Sequence, residues 1–334
     1  MTRKNLIQIL KDVNKNGKEN DWKGKKELAM ILADIFLRLA NKKENELIQN
    51  LLINKSYQIK NCSNYLKFEE TTDGNKKLVD ARFCRIRLCP MCTWRRTKKV
   101  FAQVSKIIQE INKDKEREYI FLTLTCKNVQ ASDLKQQIKD LLQVFQKMMN
   151  GSARIKKICL GYFRGLEVTR NNDDGTYHPH IHCVICVNKS YFTSRDYIKQ
   201  KEWCSIWQHY LNFDYTPVVH IEKASKNYKS IAELTKYSVK ESDIFLETEE
   251  KTDDNVMVIY NALHHVRLIG MGGIFKEYHK KLNLEDTNKD DIDLVHTDTE
   301  KEDDSLLTNI LTTYKWNIGY RNYILDKKEN KKNE

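Results

Sequence analysis

The chain has 334 residues, a formal net charge of +12, 31% charged residues and only three prolines. That length fits one large domain or two smaller ones, and the surplus of Lys and Arg favours an anionic partner. No run approaches the ~20 apolar residues of a membrane span, and the N-terminus lacks the apolar core of a signal peptide. The expectation is a cytoplasmic protein with no membrane partner, whose nine cysteines are metal ligands or buried thiols rather than a disulfide framework.

Residues 1–60 read as an N-terminal helical region, in which the run Glu27 to Leu39 is too apolar for a fully exposed helix. Residues 61–98 hold the clustered cysteines, and Val100, Val104, Ile107, Ile108 and Ile111 then recur at helical spacing. Tyr119 to Thr125 is a β-branched and aromatic run, predicting a buried strand. Residues 132–149 form an amphipathic helix carrying Leu134, Ile138, Leu141, Leu142, Phe145 and Met148, with Ser132 as its N-cap. Two strands, 160–169 and 180–187, flank a loop whose Asp174-Gly175 pair is a hairpin signal. A helix running from Tyr191 through Trp207, a strand over Pro217 to Ile221 and a short helix at 230–240 follow. Acidic stretches lie near 241–254 and 285–304, the second read as a flexible loop. Residues 306–325 return to apolar and aromatic character. Alternating strands and helices with an antiparallel pair predict an α+β fold with a central antiparallel sheet flanked by helices. No glycine-rich phosphate loop supports use of a nucleoside triphosphate.

The most informative stretch is His178-Pro179-His180-Ile181-His182-Cys183. Along a strand His180 and His182 share one face, while Ile181, Cys183, Ile185 and Val187 take the other. Two imidazoles roughly 6–7 Å apart at the backbone can converge on one divalent ion. Glu167, on the strand before the Asp-Gly turn, is the candidate third ligand. Its alternative is a cross-strand ion pair, and His178 is a weaker ligand because Pro179 offsets it from the strand. A mixed nitrogen and oxygen set with open positions suits Mg2+ or Mn2+, which bind phosphate oxygens, although zinc also fits such donors.

Glu233 and Tyr237 stand four apart on the short helix and so share a face, with Lys236 and Lys240 close by. A phenolate can attack a phosphodiester, a neighbouring carboxylate can activate water, and Lys236 can stabilise charge. Ser230 to Glu233 equally fits a capping box. Cys84, Cys89 and Cys92, with Cys62 upstream, have the spacing of a structural four-thiolate zinc site; a redox pair or unliganded thiols are the competing readings. Arg82, Arg85, Arg87, Arg95, Arg96 and Lys98 surround them as a basic cluster fit for DNA phosphates.

Three motifs occur in order: Phe121-Leu122-Thr123-Leu124-Thr125, His178-Pro179-His180-Ile181-His182 and Glu233-x-x-x-Tyr237. With the segment Arg82 to Arg96 they resemble the replication initiators (Rep) of small bacterial rolling-circle plasmids, in the HUH endonuclease superfamily. The resemblance covers roughly residues 60–240. It implies an HUH nuclease core at 99–245, preceded by the N-terminal helical region 1–60 and a cysteine-rich basic zinc module at 61–98. A C-terminal region, 246–334, follows.

The implied activity is a metal-dependent nick of one strand at the plasmid double-strand origin. Tyr237 would hold the 5′ phosphate and Glu233 would assist a terminating second cleavage. Lys240, with the basic cluster, would contact DNA. The implied partners are supercoiled or cruciform origin DNA, single-stranded at the nick, a host helicase and a DNA polymerase; a homodimer is compatible with it. The rivals are a single-tyrosine HUH transposase or mobilisation relaxase, which lacks the Glu-Tyr pairing, and a non-enzymatic zinc-containing DNA-binding regulator.

Overall fold

The structure is a computed structural model that describes residues 7–14, 17–72, 74–212, 214–224, 239–297 and 307–331. It divides into two units, Met1–Lys99 with Asp290–Glu334, and Val100–Lys289. Two antiparallel sheets, one in each unit, replace the single central sheet expected.

In the first unit, helices α1 (Trp22–Asn41) and α2 (Glu46–Lys60) pack as a hairpin. Asp21 and Asn45 start them by accepting the Gly24 and Ile48 N–H groups, which have no carbonyl partner in a first turn. Ala29, Leu32, Ala33, Phe36 and Ala40 repeat at three- and four-residue steps and are fully buried. Strands β1 (Tyr65–Thr71) and β2 (Lys76–Ala81) are joined by β8 (Leu307–Asn317) and β9 (Asn322–Asn330) in the order β2-β1-β8-β9. The expected helical character therefore begins only at Trp22. Gln8 and Leu10 are extended because their backbones bond to Leu325 and Tyr323 of β9.

The C-terminal stretch is split between the units, since β8 pairs with β1. The acidic loop is a further correction. Over 290–297 it is docked, with Ile292 and Leu294 buried and its carbonyls capturing Arg85, Arg95 and Lys99. Two apolar anchors and four side-chain hydrogen bonds outweigh the local charge density. Helix α3 (Pro90–Asp114) opens with proline, which needs no N–H partner in a first turn, and its residues from Val100 onward count with the second unit.

The second unit is built on β3 (Arg117–Thr125), β4 (Gly161–Arg170), β5 (Tyr177–Asn188), β6 (Val219–Lys223) and β7 (Ile269–Gly273), in the order β6-β3-β5-β4-β7. Every adjacent pair is antiparallel. Helix α4 (Leu134–Gly151) packs on β5 through Leu134, Ile138, Leu141, Phe145 and Met148, all at most 1% exposed. Each such side chain contributes about 1.5–3 kcal/mol on leaving water. Its N-cap is Asp133, not Ser132, because residues 131–133 form a turn before it.

Helices α5 (Ala153–Ile158) and α6 (Gln200–Leu211) follow, the latter shorter than expected because Tyr191–Thr193 is a separate 3₁₀ turn. The acidic stretch near 241–254 is helical, as α7 (Glu241–Ile244) and the start of α8 (Glu249–Leu263). Helix α9 (Ile274–Lys281) leaves β7 at Gly273, where φ is +54° and a Cβ would meet the Leu160 carbonyl oxygen at 2.3 Å. Only glycine fits that turn.

The two faces of the sheet have different fates. Leu122, Leu124, Leu166, Val168, Ile181, Cys183 and Ile185 are buried on one. On the other, Phe121, Phe163, Val184 and Cys186 pack with Val100, Val104 and Ile107 of α3 and Phe275 of α9. That second core stops short of the strand ends, and beyond it the same face continues into the polar site.

Candidate functional site

Register places the site. Glu167 pairs with His180 across the β4–β5 hairpin, Gly165 pairs with His182, and Thr123 pairs with His182 from β3. Paired residues lie on the same face of a sheet, so Glu167, His180, His182 and Thr123 all emerge together. The Asp174-Gly175 turn sets this register, with Gly175 at φ +73°. The Glu167 Oε2 lies 2.8 Å from His182 Nε2 and 3.3 Å from His180 Nε2. One donor atom from each of the three residues lies within 4.8 Å of the others. Its second oxygen, Oε1, is 3.1 Å from Lys240 Nζ.

The outer atoms fix what this cluster can do. His180 Nδ1 faces the His178 carbonyl oxygen at 3.1 Å, an acceptor, so Nδ1 carries the proton. Without a further proton its Nε2 would turn a lone pair onto a carboxylate oxygen, and two acceptors repel. A cation, whether a proton or a metal ion, is required between them. His182 Nδ1 lies 3.0 Å from the Thr123 hydroxyl, and its ring stacks on Phe121 with centroids 5.6 Å apart. A carbonyl or hydroxyl behind each imidazole is the usual way a ligand ring is oriented.

Burial alone would raise the Glu167 carboxyl, but hydrogen bonds from His180, His182 and Lys240 prevail and hold it well below the usual carboxylate range. It is 4% exposed and ionised, which is the state a metal ligand needs. The donor set fits a divalent ion with open coordination positions.

His178 is a correction. Pro179 does not offset it; His178 stays in β5 opposite Thr169, and its Nδ1 contacts Asn128 Oδ1 at 2.9 Å. Burial lowers its basicity, and the neighbouring His180 adds to the effect. Asp243, which the sequence did not single out, lies where the charge of Glu167 acts on it. Burial, reinforced by that charge, raises its carboxyl. Glu233, Lys236 and Tyr237 lie outside the described residues. Lys240, expected at DNA, is paired with Glu167.

The second cluster is in the first unit. Cys62, Cys84, Cys89 and Cys92 converge with every sulfur within 4.8 Å of the others. Sγ of Cys92 is 3.5 Å from that of Cys62 and 3.5 Å from that of Cys84. Zn–S bonds of about 2.3 Å in a tetrahedron put sulfurs about 3.8 Å apart, so the set fits zinc. The Cys84 N–H points at Cys62 Sγ and the Arg85 N–H at Cys92 Sγ, at 3.4 and 3.1 Å. The second of these needs Arg85 in the left-handed region, at φ +60°. Burial pushes the Cys84 and Cys92 thiols up. Burial would do the same to Cys89, but hydrogen bonds from the other three sulfurs bring it down.

The basic cluster is not uniformly available to DNA. Arg95 is 5% exposed, lies over the Trp22 ring and donates to the Leu294 and Val295 carbonyls. Arg85 donates to Ile292, and Lys98 to the Asn20 side chain. Arg82 is exposed, and Arg87 and Arg96 are half-buried. The signal missed was the apolar pair Ile292 and Leu294 inside the acidic stretch.

A model of the replication-protein family, Rep_1, matches residues 75–324. The chain is 36% identical over 344 aligned residues to Protein rep of Bacillus amyloliquefaciens, covering 96% of this chain and 98% of that one. It is 37% identical to Protein rep of Streptococcus pneumoniae serotype 2, covering 97% and 98% of the two chains. A Replication protein of Staphylococcus aureus is also 37% identical, over 67% of this chain and 97% of its own. No solved structure matches. The chain belongs to the Rep_1 family of replication proteins. The resemblance to plasmid Rep initiators read from the motifs is borne out. Among the described residues no helix is long and apolar enough to cross a membrane.

Proposed function

We propose that this replication protein initiates plasmid rolling-circle replication by nicking one strand of the origin. The reading rests on one observation above all: Glu167, His180 and His182 bring three donor atoms within 4.8 Å of one another on one face of the sheet. Mg2+ or Mn2+ held there would act as a Lewis acid on the scissile phosphate. The His178 carbonyl and the Thr123 hydroxyl keep the two rings aimed.

The Tyr237 phenolate attacks the phosphorus, the bond to the 3′ oxygen breaks, and that oxygen takes a proton from water and leaves as a 3′ hydroxyl for a host polymerase. In the terminating step water attacks the phosphorus of the regenerated nick site while Glu233 takes its proton, the bond to the 3′ oxygen breaks, that oxygen takes a proton and leaves as a 3′ hydroxyl, and Lys236 offsets charge on the phosphate. Host helicase and polymerase are the partners this chemistry requires. The near full-length likeness to replication proteins favours this reading over a transposase, a relaxase or a non-enzymatic regulator.

The test is relaxation of supercoiled plasmid carrying the cognate origin, with Mn2+ or Mg2+. Tyr237→Phe should abolish relaxation and the covalent adduct; normal nicking by that variant would overturn the nucleophile. Glu233→Ala should nick but release over-long or multimeric strands. Correct termination by it would favour the helix-capping role instead.

A further inference from the structure

Lys26 of α1 is 0% exposed. Its ammonium donates to the carbonyls of Lys60 and Cys62 and to Asn64 Oδ1, at 2.8, 2.7 and 2.6 Å. All three acceptors are neutral. A lysine is almost never buried without an opposite charge. One of the three acceptors, at 2.7 Å, is the carbonyl of Cys62, whose sulfur belongs to the four-cysteine cluster. Neutral thiols carry no charge, whereas four thiolates on a divalent ion carry a net charge of two minus. A buried dianion needs compensation as much as a buried cation does. The N–H groups of Cys84 and Arg85 offer partial charges to two of the sulfurs. Lys26 offers a whole one, brought from a helix position 36 residues before Cys62 in sequence.

We propose that Lys26 is the built-in countercharge of a tetrathiolate metal centre, so that zinc binding and the docking of helix α1 are one coupled event. The inference takes the four cysteines as a zinc site and is independent of the nicking chemistry. It makes the helical hairpin α1–α2 part of the metal module and gives the module a built-in preference for an anionic, all-thiolate complex.

The experiment uses the full chain in zinc-loaded and chelator-stripped forms. Zinc affinity is read by competition with a chromophoric chelator for wild type and for Lys26→Met, which keeps the length of the side chain but not its charge. The variant is expected to bind zinc roughly 10- to 100-fold more weakly, the range typical of residues that support metal ligands. Thermal unfolding should reverse in sign, with the variant less stable than wild type when loaded and at least as stable when stripped. A merely structural lysine would destabilise both forms alike, and that outcome, or unchanged affinity, overturns the proposal. If Lys26→Met does not fold, amide exchange in the wild type decides. Stripping zinc should deprotect Leu32 to Leu39 of α1, and unchanged protection overturns the coupling. Cys92→Ser serves as the control for the site. Elemental analysis finding no zinc in the wild type would remove the centre and the inference together.

Discussion

The Nε2 of His182 lies 2.8 Å from the Oε2 of Glu167, two strand positions that the β4–β5 register brings to one face. This contact sets the first expectation. Glu167→Ala removes the oxygen on which both imidazoles converge, so Mn2+ affinity should fall by about 100-fold or more and nicking with it. Mn2+ titration followed by electron paramagnetic resonance checks this, and wild-type affinity in the variant would exclude Glu167 as a ligand.

Thr123 should behave as a support rather than a ligand. Thr123→Val keeps the shape and removes the hydroxyl at His182 Nδ1, so affinity for Mn2+ should drop about tenfold, while Thr123→Ser should restore it. Equal affinities for all three proteins would mean that Phe121 stacking alone orients the ring.

The depressed carboxyl of Glu167 gives a pH signature in metal-free protein. Its folded-state value lies below the ordinary 4.5, so its contribution to stability is fully present above that value and is lost as pH falls through the folded value. Breaking such a buried pair costs roughly 3–5 kcal/mol. Urea unfolding in EDTA should show a gap between wild type and Glu167→Gln that narrows as pH falls below about 4.5. A gap equally wide at pH 3 and pH 7 would contradict the assignment.

Two arginines of the basic cluster should separate cleanly. Arg95→Ala orphans the Leu294 and Val295 carbonyls, at roughly 1–3 kcal/mol for each. It should lower the unfolding midpoint and leave the salt dependence of DNA binding unchanged. Arg82→Ala should leave stability intact; if Arg82 meets a phosphate, the slope of log affinity against log salt falls by about 1. Fluorescence anisotropy on origin DNA over a salt series distinguishes the two behaviours.

The second unit was largely legible because its signals are local. Alternation in Tyr119 to Thr125 and in His180 to Val187, with one Asp-Gly turn between Glu167 and the histidines, is enough to place the three candidate ligands on one face. The first unit was not. Nothing near Tyr65 announces that its sheet neighbour is Lys315, about 250 residues on. Lys26 reads as an ordinary solvated helix charge, and its burial is matched by the Lys60 and Cys62 carbonyls and the Asn64 side chain that it meets only after folding. Charge density around Asp290 suggested a loop in solvent, yet Ile292 and Leu294 anchor it. Local pattern reports periodicity; it does not report a long-range partner.

The first unit is discontinuous, whereas Val100–Lys289 is a single stretch of chain. On the ribosome the contiguous body can finish while the N-terminal half still waits. Strand β1 has β2 on one side, but its other edge stays open until residues 307–330 emerge. A nascent chain whose first 290 residues have left the ribosome would therefore pair a completed second unit with an unsealed thiol module, and the last strands made are the ones that close the first half.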